Sequence, residues 1–262
     1  MAKTTPASHA VGNYKTDAVR PSGERWITMS NGLSRAGHGL TLSEKRIVMM
    51  AVSRLDSRRM LPKGEIPKTK ITAADYAEAF EVDADTAYNQ LKEAAKHLYN
   101  RSITFYEPAY RRSGKELPPT KVQMRWVGSV KYQEGEGWVE LAWWPDLMKH
   151  LVGLKRQFTS YQLQQTTALR STYSWRLLEL LTRFEGNGWA EYTIEDFKVS
   201  MDAPPSLSDF AQIKRRIIDP AVKELTDKDG WDIQWKPIKA GRRVAKVRFD
   251  FKRQEQLRLP ID

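Results

Sequence analysis

Residues 206–252, SLSDFAQIKRRIIDPAVKELTDKDGWDIQWKPIKAGRRVAKVRFDFK, combine one amphipathic helix with two extended runs. The helix is predicted because apolar residues recur every three or four positions, which places them on one face: Phe210, Ile213, Ile217, Ala221 and Leu225. The extended runs are Trp231–Trp235 and Val244–Phe251. The second run alternates charged and apolar residues, which is typical of a half-buried strand. The pattern therefore predicts a helix that leads directly into a hairpin.

The charged residues of this segment lie on the outer face of the predicted helix and at the predicted turn. At about 100° per residue, the face opposite the apolar stripe carries polar residues: Gln212, Arg215, Arg216, Asp219 and Lys223. The predicted turn, Lys239–Arg243, is basic, and residues 231–253 hold eight Lys or Arg against two Asp. In a winged-helix protein, the helix enters the major groove and the hairpin lies against phosphates. The alternative is a solvated amphipathic helix beside a solvated hairpin.

The composition narrows the class of protein. The chain has 262 residues and a net charge of +11, which indicates a polyanionic partner, either nucleic acid or an anionic membrane surface. No apolar run approaches the ~20 residues that span a bilayer, and the N-terminus lacks the apolar core of a signal peptide. Cysteine is absent, which excludes disulfides and thiolate metal sites. We predict a cytoplasmic protein that acts on nucleic acid and not on membranes.

Two hexamers indicate an internal duplication. Residues 71–76 (ITAADY) and 192–197 (YTIEDF) share an apolar residue, Thr, two further residues, Asp and an aromatic ring. Each hexamer is followed by a turn, a longer amphipathic helix and strands. Thr72 and Thr193 are predicted to cap the second helix of each unit. We predict an α+β chain of two tandem winged-helix domains related by internal duplication, at residues 26–152 and 153–262, behind a flexible tail at 1–25.

The two predicted units differ in charge. Residues 73–98 of the first unit carry six acidic and two basic side chains, which predicts weaker DNA binding than by the second unit. A basic hairpin is predicted at Arg101–Lys131, with seven Lys or Arg and two Glu. The candidate phosphate contacts are the hairpin-tip cations: Arg111, Arg112, Lys115, Lys239, Arg242 and Arg243. The candidate base contacts lie on the outer helix faces: Thr86, Asn89, Gln90, Lys92, Lys96, Ser208, Gln212, Arg215 and Arg216. For Asn89 and Gln90, a solvated polar face is the alternative.

Signals for catalysis or cofactor binding are weak. The four histidines are scattered, without a partner at metal-ligand spacing, and no Gly-x-x-x-x-Gly-Lys-Ser/Thr loop is present. Gly135-Glu136-Gly137 lies between two strands and is interpreted as a hairpin turn. Trp143 and Trp175 lie on apolar stripes, which favours the core over base stacking. We predict no cofactor, no metal and no enzymatic activity.

In combination, four segments resemble the theta-type plasmid replication initiators that bind iterons, the RepB/RepE/π class. The segments are LSEKRIVMMAV (42–52), DYAEAFEVDADTAYNQLKEAAKHLYNRSITFYE (75–107), QFTSYQL (157–163) and IKRRIIDPAVKEL (213–225). The resemblance spans residues 27–252. It implies specific binding to direct repeats at a plasmid origin, autorepression, a dimer–monomer equilibrium and recruitment of host replication proteins. It also places base reading on Lys214, Arg215 and Arg216, and on the 85–96 helix of the first unit.

Two functional alternatives stay open at this point. A dedicated transcriptional repressor has the same DNA-binding chemistry, and a nickase or primase would be an enzyme.

The path of the predicted helix at residues 210–225, the candidate reading helix, also stays open at Pro220, which has no main-chain N–H to donate. Either the helix kinks there, or a new helix starts with Asp219 as its cap and Pro220 at the first position.

Overall fold

A computed structural model of the chain describes residues 24–107 and 120–253. In these ranges helices and short antiparallel sheets alternate along the chain. The helices are α1 (Asn31–Arg35), α2 (Leu42–Val52), α3 (Ala73–Phe80), α4 (Ala84–Leu98), α5 (Thr172–Thr182), α6 (Ile194–Ser200), α7 (Phe210–Ile213) and α8 (Asp219–Asp229). The strands are β1 (Trp26–Ser30), β2 (Lys68–Thr72), β3 (Ser102–Glu107), β4 (Thr120–Arg125), β5 (Val127–Gln133), β6 (Trp138–Trp143), β7 (Phe158–Gln162), β8 (Trp189–Thr193), β9 (Trp231–Ala240) and β10 (Arg243–Arg253).

Two units repeat one topology. The first unit, residues 42–143, runs α2-β2-α3-α4 and ends in the hairpin β5–β6, with β3 and β4 inserted before it. The second unit, residues 172–253, runs α5-β8-α6-α7-α8 and ends in the hairpin β9–β10. The sheets have the orders β2-β6-β5 and β8-β10-β9, so in both the first strand pairs with the last. This confirms the prediction of an α+β fold with two tandem winged-helix units.

The predicted caps hold equivalent positions in the two units. The Thr72 Oγ1 accepts the Asp75 main-chain N–H at 3.1 Å, and the Thr193 Oγ1 accepts that of Asp196 at 3.1 Å. In the first unit the Asp75 carboxylate also accepts the Thr72 N–H, which completes a capping box. Each cap joins a strand directly to the second helix of its unit.

Removing either cap hydroxyl is expected to destabilise the chain modestly. We expect Thr72→Ala and Thr193→Ala each to lower the free energy of unfolding by about 1 kcal/mol, because each leaves a helix N-terminal donor without its acceptor. Urea denaturation followed by circular dichroism measures the change. Thr72→Ser and Thr193→Ser keep the hydroxyl and serve as controls. If the alanine and serine variants were equally stable, the caps would contribute nothing measurable.

A separate two-stranded sheet joins segments from the two predicted domains. β1 pairs antiparallel with β7, from Trp26 opposite Gln162 to Ser30 opposite Phe158. Ile27 and Tyr161 of this sheet are buried. A cut at the predicted boundary, 152/153, would separate β1 from β7 and expose both side chains. The boundary stays a prediction, and of the predicted tail, residues 1–23 lie outside the described residues.

A buried ion pair also connects the units. The Lys45 Nζ on α2 lies 2.7 Å from the Glu179 Oε2 on α5, and both side chains are almost fully buried. The Tyr161 Oη donates to the other carboxylate oxygen of Glu179 at 2.7 Å. Burial lowers the pKa of Lys45 to about 8, while Glu179 acts in the opposite direction. The sequence analysis missed this pair, because each residue appears locally as an ordinary helix charge.

Candidate nucleic-acid interface

The candidate reading helix of the second unit, residues 210–229, continues through the Asp219–Pro220 step. Between α7 and α8, residues Lys214–Ile218 form a π-helical turn, and the Asp219 N–H donates to the Lys214 carbonyl five residues earlier. Asp219 itself has helical dihedral angles, φ −59° and ψ −47°. Of the two alternatives left open at this step, the new helix with Asp219 as its cap is therefore excluded. The π turn shifts the hydrogen-bond register at the point where Pro220 supplies no N–H.

The π turn carries the three candidate cations of this helix. Lys214, Arg215 and Arg216 are exposed, whereas Ile217 and Ile218 are both buried. The turn thus anchors two consecutive apolar residues and presents three consecutive cations. Lys214 contacts Asp219 at 2.5 Å. Arg215 and Arg216 form no ion pair with any described residue.

The reading helix is held against the hairpin that follows it. The Phe210 and Trp235 rings lie 6.2 Å apart, edge to face, and the Lys214 Nζ lies 5.6 Å from the Trp235 ring. At the hairpin base, Asp229 accepts the Arg253 guanidinium at 2.8 Å. Burial raises the pKa of Asp229 to about 6, against the opposing charge of Arg253. These contacts fix the position of the helix cations relative to the hairpin.

The β9–β10 hairpin is a basic wing that extends into solvent. Its strands are longer than predicted, so the turn narrows to Gly241 and Arg242, and Lys239 pairs with Val244 in the ladder. Gly241 has φ +62°, and apart from its two chain neighbours no described residue has an atom within 4 Å of a Cβ placed there. The candidate cations Lys239, Arg242 and Arg243 are exposed and form no ion pair among the described residues.

The remaining second-unit candidates lie at the start of the reading helix. Ser208 is exposed and directly precedes Asp209, whose carboxylate caps α7 by accepting the Gln212 main-chain N–H at 2.8 Å. The Gln212 side chain is half-buried, and its Oε1 accepts no hydrogen bond from any described residue. Both residues thus lie within the six positions that precede the π turn.

Most candidates of the first unit already have partners within the chain. Thr86 donates to its helix cap Asp83 at 2.6 Å, and Gln90 accepts the Tyr76 hydroxyl. Lys96 contacts Glu93 at 2.6 Å, and Lys92 contacts Glu134. Of the five predicted positions on α4, Asn89 alone makes no side-chain hydrogen bond to a described residue; it is exposed.

The predicted first wing requires a correction. The stretch Arg101–Lys131 is not one hairpin: β3 and β4 form a separate two-stranded sheet, and Lys131 belongs to β5. By strand order the equivalent of the basic wing is β5–β6. The Gly135-Glu136-Gly137 hairpin turn is confirmed, but its place as the wing tip was missed. Candidates Arg111, Arg112 and Lys115 lie outside the described residues.

The described residues carry no assembled metal site. Among residues 24–107 and 120–253, no three His, Asp or Glu side chains are grouped so that they could hold a metal ion. In the same ranges no helix has the length and apolar character to cross a bilayer. Trp143 and Trp175 are buried, as predicted.

Two winged-helix units with an exposed Arg pair on a reading helix define a DNA-binding architecture. The family model described as "Initiator Replication protein, WH1" matches residues 26–182, and "Initiator Rep protein, WH2" matches residues 193–251. The chain belongs to this family of replication initiator proteins.

Individual relatives agree with the family assignment. The chain is 25% identical over 251 residues to the PI protein of Escherichia coli, covering 86% of this chain and 82% of that protein. It is 21% identical over 204 residues to a replication initiation protein of Escherichia coli, covering 76% of this chain and 61% of that protein. Its fold is similar to a crystal structure of the Pi initiator protein in complex with iteron DNA, with a TM-score of 0.72, 23% identity and coverage of 89% and 99%.

Proposed function

We propose that this chain initiates plasmid replication by binding direct repeats, or iterons, at the plasmid origin in the cytoplasm. Membership of the initiator family and the similarity to a Pi initiator structure with iteron DNA support the proposal. The proposal includes repression of its own promoter, a dimer–monomer equilibrium and recruitment of host replication proteins. It assigns the chain no enzymatic step, because a sequence-specific scaffold needs only DNA binding.

One observation carries the proposal: the helix and the wing of the second unit each present exposed cations, among them Arg215, Arg216 and Arg242, that form no ion pair with a described residue. Arg can bond guanine O6 and N7 from a helix in the major groove, while wing cations meet phosphates. We therefore propose two roles. Base reading falls to Ser208, Gln212, Lys214, Arg215 and Arg216, and phosphate contact to Lys239, Arg242 and Arg243. In the first unit Thr86, Asn89, Gln90, Lys92 and Lys96 stay proposed contacts, with Arg111, Arg112 and Lys115.

The DNA that flanks the gene for this chain provides the direct test of the proposed function, because the direct repeats should lie there. We expect anisotropy titrations to show at least about 10³-fold tighter binding to direct repeats of about two helical turns than to random duplex. A plasmid with only those repeats should replicate when the chain is supplied in trans. Preference for one inverted repeat without replication would indicate a dedicated repressor. Relaxation of supercoiled plasmid with Mg²⁺ or Mn²⁺ would indicate a nickase.

We expect the β9–β10 wing to contact DNA phosphates without contributing to sequence recognition. We expect Arg242→Ala combined with Arg243→Ala to weaken binding to repeats and to random duplex by similar factors. The slope of log K against log salt should become shallower by about one to two, since each lost phosphate contact removes one counterion release. Lys236→Ala combined with Lys252→Ala removes the same charge from the strands and should change the slope less. Loss of repeat binding alone would show that the wing reads bases.

A further inference from the structure

The tip of the first wing differs in charge from the tip of the second. The β5–β6 turn is Glu134-Gly135-Glu136-Gly137, with two carboxylates, whereas the β9–β10 turn contains Arg242 and is flanked by Lys239 and Arg243. The two hairpins hold the same place in their sheets. The first unit therefore has acidic groups at the position where the second unit has the cations that are proposed to contact phosphates.

The acidic tip is also fixed to the helices of its unit. The Gly135 N–H donates to the Tyr88 hydroxyl on α4 at 2.9 Å, and the Gly137 carbonyl accepts the Ala73 N–H at the start of α3 at 2.7 Å. A Cβ at Gly137 would lie 3.5 Å from that of Ala73, so the turn approaches the helices closely. The basic tip has no such neighbours around Gly241.

The same tip binds a cation on the outer face of α4. The Glu134 carboxylate accepts a hydrogen bond from the Lys92 ammonium, and this bond raises the pKa of Lys92. The Lys92 side chain is 30% exposed, whereas that of Glu134 is 72% exposed. Glu136 lies two residues away, exposed, and forms no ion pair with a described residue. A phosphate that approaches Lys92 must therefore compete with Glu134.

We propose that Glu134 is a specificity determinant. Its ion pair with Lys92 keeps that lysine from contacting a DNA phosphate and so weakens sequence-independent binding by the first unit. This inference rests on the proposed function, because it assigns that unit a reduced share of the sequence-independent affinity. Phosphate contacts supply affinity without sequence information, so limiting them in one unit leaves recognition to the Arg pair of the other. The partner concerned is the phosphate backbone of double-stranded DNA.

The test uses the full chain, because the Lys45–Glu179 pair joins the two units and β1 pairs with β7 across the predicted domain boundary. We expect Glu134→Gln to tighten binding to random duplex about three- to fivefold at moderate salt. It should steepen the salt slope by about one, since the released Lys92 gains a phosphate. Glu136→Gln is the matched control: it removes the same charge from the same turn without freeing a lysine. Its gain should be smaller, and its slope should match that of the wild type.

The Lys92→Ala background separates release of Lys92 from general repulsion. If Glu134 acts through Lys92, Glu134→Gln should bring no slope change and little gain there. Equal effects of Glu134→Gln and Glu136→Gln, or a full gain in the Lys92→Ala background, would overturn the inference. The wild-type preference for repeats over random duplex reports on the proposed function independently. If the wild-type protein prefers repeats but Glu134→Gln and Glu136→Gln behave alike, the inference about Glu134 is refuted and the proposed function stands.

Discussion

Replacing Arg215 or Arg216 with alanine is expected to weaken binding to the direct repeats by about 1–3 kcal/mol, or roughly five- to 150-fold, and to affect random duplex much less. Both side chains are exposed on the π turn of the reading helix, and neither has an acidic partner among the described residues. The expected loss reflects bidentate contacts to base edges, which only the correct sequence provides. Anisotropy titrations with the two duplexes over a range of salt measure it.

A matched variant tests whether position on the helix matters. Lys223 is exposed on α8, beyond Pro220, and contacts Asp227 at 2.6 Å. Lys223→Ala removes one positive charge from the same helix and should leave the preference for repeats close to that of the wild type. If Arg215→Ala and Arg216→Ala reduced specific and random binding equally, the pair would contact phosphates only. Base reading would then have to be sought at Asn89 and Gln90 on α4.

Replacing Lys45 with alanine is expected to lower the free energy of unfolding by about 3–5 kcal/mol, the largest stability effect predicted for this chain. The substitution leaves the Glu179 carboxylate buried without its cation, and among the described residues only the Tyr161 hydroxyl still donates to it. Urea denaturation followed by both circular dichroism and tryptophan fluorescence measures the change. Since Lys45 and Glu179 belong to different units, the two probes should separate if the units unfold independently.

Two further variants establish that the effect of Lys45 depends on burial. Lys96→Ala breaks the exposed contact with Glu93 on α4 and should leave stability close to the wild-type value. Lys45→Met combined with Glu179→Gln removes both charges while keeping an acceptor for Tyr161, and should recover most of the lost stability. A Lys45→Ala protein as stable as the Lys96→Ala protein would contradict a buried pair at this interface.

Local patterns predicted the helix and the hairpin of the second unit that carry the proposed DNA contacts. The apolar spacing of Phe210, Ile213, Ile217, Ala221 and Leu225 predicted the helix that runs through this segment, and the two Thr-x-x-Asp sequences predicted both caps. These predictions succeeded because helix periodicity and capping depend on residues three or four positions apart. The exposure of Arg215 and Arg216 followed from the same periodicity, since the apolar stripe determines which side faces solvent.

The sequence by itself therefore determined the two repeated winged-helix units, the helix caps and the side of the 210–229 helix that carries the cations. The tertiary structure alone decided that Lys92 meets Glu134, that Lys45 is buried against Glu179 and that β1 pairs with β7. It also identified β5–β6 as the first wing and resolved the Pro220 step as a π turn that buries both Ile217 and Ile218. These features join residues far apart in the chain or depend on what packs against a helix, and local spacing carries no information about either.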